Sequence, residues 1–325
     1  MRPETLIRRL ALECGFDLCG IASLASPPES LQGLDAWLEQ GHHAGMEWMR
    51  RQKERRLDPT KVLSNAHSFI CLGLVYNTSK PLSTDVFPLA GRRPTTPAGS
   101  ESRGWISRYA WGTDYHRIFE TRLAELSRAI RLNLDASATF LPFCDAGPIA
   151  EKAWAARSGL GWQGKHTNLI HREKGSWFFL GELLTDLELE PDEPEPDRCG
   201  ACTRCLDACP TKALVRPYVL DARLCLSYRT IEHRGDFPEA WSGESTPNVF
   251  GCDICQDVCP WNRRRLPGSV AEFEPREGLF APDLQALSRI TEDELSGPLH
   301  DSPLKRAKAA GLRRNAAAAL NRPRA

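Results

Sequence analysis

"CGACTRCLDACPTKAL", residues 199–214, decides how this chain is read. Cys199, Cys202, Cys205, Cys209 and Pro210 carry the complete C-x2-C-x2-C-x3-C-P spacing of a four-iron cluster run. Iron in a cubane takes four soft thiolates. Short x2 spacings let three neighbouring cysteines wrap one cluster, while the fourth, three residues on, serves another. A second run, "NVFGCDICQDVCPWN" at 248–262, has Cys252, Cys255, Cys259 and Pro260 but Val249 where its first thiolate belongs. Between the runs stands one further cysteine, Cys225. A lone cysteine is commonly a small buried hydrophobe, yet this one fills the vacancy. The crossing rule then assigns Cys199, Cys202, Cys205 and Cys259 to cluster one, and Cys209, Cys225, Cys252 and Cys255 to cluster two. This is the arrangement of bacterial two-cluster ferredoxins, and zinc is the lesser alternative.

Eight of the twelve cysteines are thus used, all between Cys199 and Cys259, which is metal spacing and not a disulfide framework. Cys14, Cys19, Cys71 and Cys144 lie on helix or strand patterns and read as core. The 42 basic and 42 acidic residues cancel, so a polyanion has to be met by a local basic patch. Arg8-Arg9 suggests twin-arginine export, but Glu13 and Asp17 interrupt the stretch that would have to be apolar. No run reaches the roughly 18 apolar residues of a membrane span. The expected setting is the reducing cytoplasm, with no membrane partner and a monomeric chain.

Four segments follow from composition. Residues 1–185 alternate helix and strand signals and read as an α/β (α+β) domain: "PETLIRRLALECG" and "DYHRIFETRLAELSRAIRLNL" are amphipathic, and "SFICLGLVYN", "ATFLPFCD" and "GSWFFLGELLT" are strands. "GPIAEKAWAARSG" reads as a helix opened by Pro148 and closed by Gly159. A loop-rich stretch at 78–104 reads as a surface excursion or a lid. Residues 186–198, with three prolines among seven acids from Asp186 to Asp197, read as a stiff, solvated linker. Residues 199–265 form the ferredoxin-like module. Residues 266–325 form a C-terminal helical segment whose "SPLKRAKAAGLRRNAAAALNRPRA" has seven basic residues and no acid.

Three further features carry chemistry. Gly159, Gly161 and Gly164 in "SGLGWQGK" spell G-x-G-x-x-G, but they follow a helix and precede a strand, the reverse of a dinucleotide site. They are either a tight helix-to-strand turn or a place where backbone approaches a large ligand, with Lys165, Thr167 and Asn168 offering polar contacts. Asp145 ends an apolar strand, where sites collect in such domains; the plainer reading is a helix cap. Arg263, Arg264 and Arg265 with Lys305, Arg306, Lys308, Arg313 and Arg314 are either a solvated face or a holder of phosphates.

"CDAGPIAEKAWAARSGLGWQGKHTNLI" at 144–170, "CLSYRTIEHRG" from Cys225, "RLDPTKVL" at 56–63, "ISRYAWGTDYH" at 106–116 and "GLRRNAAAALN" at 311–321 together resemble the epoxyqueuosine reductases over nearly the whole chain. Gln163, His166 and Ser64-Asn65 depart from the family pattern. The resemblance implies a cobalamin-binding core similar to the reductive dehalogenases beside a ferredoxin-like module, with cobalamin and two 4Fe-4S clusters as cofactors. It implies a tRNA anticodon stem-loop as substrate and an unidentified electron donor. Asp145, Pro148, Glu151 and Lys152 match the family's D-x-x-P-x-x-E-K, which makes Asp145 the implied proton donor in a dry pocket. Likeness alone puts Arg56, Tyr109 and Ser227 near the corrin. The alternatives are a corrinoid enzyme acting on a small molecule, or a non-catalytic electron carrier.

Overall fold

The structure, a computed structural model, describes residues 1–89, 102–241, 246–263 and 266–321. The chain forms two compact units, the first made of Met1–Val75 with Tyr115–Cys202 and the second of Tyr76–Asp114 with the chain from Thr203 onward.

The first unit is built on helix α1 (Pro3–Glu13), strands β1 (Leu18–Ser23) and β2 (Ser68–Val75), helix α2 (Tyr115–Asn133), strand β3 (Phe140–Phe143), helix α3 (Glu151–Arg157) and strand β4 (Phe178–Thr185). Its sheet has the order β1-β2-β4-β3 and every pair is antiparallel. Of the two fold classes named together from sequence, α+β is therefore the one realised. β2 is buried at every position, as its unbroken apolar run requires of a central strand covered on both sides. Phe69, Cys71 and Val75 pack with Trp154 and Ala155 of α3 in one cluster, and the Phe69 and Trp154 rings lie 4.8 Å apart. The approach of α3 is close: a Cβ on Gly20 would stand 2.3 Å from the Ser158 carbonyl oxygen, so β1 needs glycine there. α1 and α2 pack on each other, with Phe16 and Phe119 at 5.8 Å.

α3 starts at Glu151, not at Pro148, because Arg56 holds the carbonyls of Gly147 (2.9 Å) and Ile149 outside the helical ladder. The 186–198 segment is extended as expected, but it is not a solvated linker. Leu189 is buried, and Asp192 lies along the edge of β1, donating its N–H to the Ile21 carbonyl (2.9 Å), accepting the Ile21 N–H (2.8 Å) and pairing with Arg8. One of the acids that suggested solvation, Asp192, instead satisfies a strand edge, while Glu188, Glu190, Glu193 and Asp197 are exposed.

In the second unit Trp105–Ile106 pairs in parallel with Asn248–Phe250. Both sit in a core of Trp111, Leu284, Leu304, Leu312 and Ala316. Residues 76–114, placed by sequence order in the 1–185 domain, thus belong to the other unit; their partners lie more than a hundred residues downstream, beyond the reach of local patterning. Of the 78–104 stretch, residues 90–101 fall outside the described residues, and Ser83–Val86 is a short helix with Ser83 and Val86 buried. Lys308, with φ of +59°, divides the basic C-terminal segment into a 3-10 turn, Pro303–Ala307, and helix Lys308–Leu320.

Candidate functional site

The cysteines divide with the units. Cys199 and Cys202 close the first one in a turn in which the Cys202 N–H donates to the Cys199 carbonyl (3.1 Å), and Asp197 accepts the Cys199 N–H (2.7 Å). The other six are in the second unit. Helix α4 (Arg204–Ala208) packs against helix α5 (Ile254–Asp257), which brings the two runs together. Burial pushes the Cys255 thiol well above its ordinary range, and Cys225, Cys209 and Cys205 push it further. Burial does the same to Cys252, with Cys255 and Cys225 adding to it. Cys209, Cys225, Cys252 and Cys255 are therefore neighbours, and Cys205 of the other assigned set lies beside Cys255 as well. Thiolates repel one another in such a nest unless a cationic centre binds them, and this donor set suits iron. Among the described residues no three His, Cys, Asp or Glu side chains converge on a single ion; the thiolates around a four-iron cube are spaced by the cube.

Asp253, which the sequence reading passed over, anchors this nest. Fully buried between Cys252 and Ile254, its carboxylate accepts the Trp105 indole N–H (2.9 Å), the Arg108 N–H (2.8 Å) and the Ser107 hydroxyl. Asp253→Ala leaves these donors unpaired in the core at about 1–3 kcal/mol each. The expected result is a lowered unfolding midpoint and loss of cluster iron, read by thermal denaturation and iron analysis.

The second constellation lies past the end of β3. Asp145 adopts φ of +57°, a left-handed conformation that non-glycine residues rarely hold without a role. Its Oδ2 accepts the Tyr115 hydroxyl at 2.8 Å, with His116 Nε2 at 3.7 Å, and its N–H donates to Glu151 Oε1. Tyr115 is stacked between His116 (4.2 Å) and Phe179 (4.3 Å), which fixes its hydroxyl. The Asp145 side chain is 66% exposed, which corrects the expected dry pocket: the loop holds the carboxylate outward. Glu151, by contrast, is pushed up to about 7, first by burial and then by the neighbouring Asp145.

The residues assigned to the corrin come from both units. Arg56 braces the 147–149 carbonyls over the Trp48 ring (5.3 Å) and is no open ligand. Lys165 Nζ donates to the carbonyls of Gly200 and Cys202 (3.0 Å), so it clamps the first cysteine loop. The glycine stretch is a turn between α3 and the strand pair Trp162–Gln163 and Leu169–Ile170, and a Cβ on Gly161 would stand 2.2 Å from the Ile170 carbonyl oxygen. Thr167 is left-handed (φ +68°), and Asn168 accepts Lys152 Nζ at 2.8 Å. Tyr109 and Ser227 belong to the second unit, where Tyr109 packs on Phe250 (6.0 Å) and the Ser227 N–H and hydroxyl face the Cys225 sulfur.

The basic candidates have work inside the chain. Arg314 donates to the carbonyls of Arg229, His233 and Gly235 and covers the Phe237 ring (4.2 Å), with its proton affinity pulled down to about 10, first by burial and then by Arg234. Arg306 pairs with Glu232 (2.9 Å), Arg313 donates to the Ile290 carbonyl (2.8 Å) and Lys305 to the His300 carbonyl (2.8 Å). Arg263 is exposed, and Arg264 and Arg265 fall outside the described residues. No described helix is long and apolar enough to cross a membrane.

Residues 198–262 match the family model of the 4Fe-4S double cluster binding domain, and residues 56–146 match that of Epoxyqueuosine reductase QueG. The chain is 44% identical over 297 residues to the epoxyqueuosine reductase of Synechocystis sp., covering 90% of this chain and 96% of that relative. It belongs to the epoxyqueuosine reductase family. Among solved members, the crystal structure of epoxyqueuosine reductase with a tRNA-Tyr epoxyqueuosine-modified tRNA stem loop is 29% identical with a TM-score of 0.83, covering 97% of this chain and 80% of that one. The Bacillus subtilis epoxyqueuosine reductase, solved with an aspartate-bearing catalytic loop swung out of the active site, is equally similar, at 29% and 0.83 over the same shares. Within the family, then, this chain carries a double 4Fe-4S cluster binding domain and an exposed aspartate loop at the end of β3.

Proposed function

We propose that this chain reduces epoxyqueuosine to queuosine in tRNA, with Asp145 as the acid that protonates the departing oxygen. The observation that carries the reading is the likeness over 97% of the chain to the reductase solved with an epoxyqueuosine-modified stem loop. Cobalamin, when bound, would supply a two-electron reductant. Its fit to this chain rests on the edge where two strained non-glycine residues, Asp145 and Thr167, flank the Lys152–Asn168 pair. Strain of this kind gathers at ligand sites, and Lys152, Thr167 and Asn168 are the residues we assign to hold the corrin from this unit.

Carbon–oxygen cleavage leaves an alkoxide, a poor leaving group until protonated. Asp145 holds a left-handed backbone conformation with Tyr115 and His116 at its carboxylate, which we read as a parked position. The swung-out catalytic loop of the B. subtilis relative supports reading it so. Moving inward beside substrate would remove water from the carboxyl group and favour its protonated form. The cytoplasm is the compartment that suits a tRNA substrate and reduced clusters.

The anticodon stem-loop is held by its phosphates, for which exposed Lys305, Arg306, Lys308, Arg313 and Arg263 are the proposed contacts; the buried bonds of Arg314 make it a brace. Binding of the stem-loop is expected to weaken by at least tenfold between 50 and 200 mM salt, measured by fluorescence anisotropy, since each released counterion adds to the slope. Affinity that does not change with salt would contradict phosphate contacts. The function itself is tested by complementation: mass spectrometry of tRNA from a strain lacking its own reductase should show queuosine restored by this chain. Persistent epoxyqueuosine with the protein expressed and iron-loaded would refute it.

A further inference from the structure

Beneath Asp145 the first unit hides a carboxyl group that the chemistry above leaves unused. Glu182 on β4 is fully buried, and neither of its carboxyl oxygens has a hydrogen-bond partner in the protein. In register it stands beside Cys71 of β2 and Phe143 of β3, and Phe143 precedes Asp145 by two residues. The ionisable groups that face it are Glu151 from α3, Asp145 from the loop and Cys71 from β2; Arg56 and Lys152 act on Glu151. The charges acting on Glu182, those of Glu151 and Asp145, are both negative. A buried carboxylate without a partner costs several kcal/mol, and two acidic neighbours add to that, so at rest the group is the neutral acid, and a carboxylate formed there draws a proton back. Burial, followed by Glu151 and Asp145, accordingly holds Glu182 well above the usual carboxylate range.

The reaction gives such an acid a use. Turning an epoxide into an alkene breaks two carbon–oxygen bonds, forms one carbon–carbon π bond and releases the oxygen as water, consuming two electrons and two protons. The electrons arrive singly from a one-electron donor through the clusters. Asp145 carries one proton. We propose that Glu182 stores the second and passes it by way of Glu151 to Asp145, which then delivers both to the oxygen in turn. Glu151, whose Oε1 accepts the Asp145 backbone N–H and whose charge acts on Glu182, is the carboxyl group that neighbours both the buried acid and the exposed one. Glu182 ends the cycle as a carboxylate and regains its proton from solvent through the same groups. This rests on the reductase reading, and Glu182, which touches no substrate, is a positioning residue.

Infrared spectroscopy of the whole, cofactor-loaded protein at neutral pH tests the charge state without turnover. A protonated-carboxyl C=O band that shifts in D2O is expected, and Glu182→Gln should remove it. The amide matches the neutral acid in size and charge, so E182Q should keep its iron, corrin and tRNA affinity while single-turnover conversion slows about 100-fold. Conversion by the native protein should fall as pH rises through about 7, where Glu151 loses its proton. Glu182→Asp should recover part of the rate. No such band in the native protein, or a band unaltered by E182Q, overturns the proposal whether or not the variant folds well. A native protein that converts epoxyqueuosine beside an E182Q that does so equally fast fails this proposal alone. A native protein that leaves epoxyqueuosine untouched fails the reductase reading and this proposal with it.

Discussion

Cys225→Ala, prepared anaerobically, is expected to hold about half the iron and sulfide of the parent chain and to lose all conversion of epoxyqueuosine. The reason is local. Cys225 sits among Cys209, Cys252 and Cys255 in the second unit, and under the proposed assignment the other four cysteines need nothing from it. Removing one thiolate from a cubane leaves an iron without its soft ligand. Valine at 249 offers no replacement, because it is a fully buried core residue. Electron flow then stops at the surviving cluster. Cys144→Ala is the control: that thiol donates to the Leu180 carbonyl (3.3 Å) in the first unit, and iron content should be unchanged. Full iron in the Cys225 variant would overturn the assignment of its thiolate.

Asp145→Asn is expected to lower turnover by about 100- to 10,000-fold, the usual contribution of a positioned general acid, with iron and corrin content unchanged. Asparagine is the substitution that isolates the proton. It matches aspartate in size, it tolerates the left-handed backbone of this position, and its carbonyl can still accept the Tyr115 hydroxyl. What it lacks is the ability to give up a proton from oxygen. Comparable loss in single-turnover and steady-state assays would place the defect in chemistry; a loss confined to tRNA affinity would remove Asp145 as the acid.

The cluster module was legible in the sequence because its chemistry is written in short spacings. Three cysteines wrap a cluster within seven residues, and the vacancy at Val249 pointed to Cys225. The strands of the first unit were legible for a similar reason, since "SFICLGLV" and "FFLGELLT" are apolar runs too short for helices and too continuous for exposed strands. Pairings across long separations were not. Trp105 and Ile106 join Asn248–Phe250, and no local pattern announces such a partner. The acidic 186–198 segment misled because acids in series look solvated, while Asp192 in fact closes a strand edge. The cationic residues misled in the same way: a charge run gives the sign of a surface but not whether each guanidinium already has carbonyls to hold, as Arg314 and Arg56 do. Glu182 had a signal that went unused, a single acid inside an otherwise apolar strand. Asp253 had none, and only its bonds to Trp105 and Ser107 make its role visible.

The most direct measurement is a single turnover of anaerobically prepared protein, both clusters intact and corrin bound, with a chemically reduced one-electron donor and an anticodon stem-loop carrying epoxyqueuosine. Mass spectrometry of the digested RNA should show the modified nucleoside lighter by one oxygen atom, at one equivalent per protein. An unchanged nucleoside after both clusters have been shown to be reduced would contradict the account.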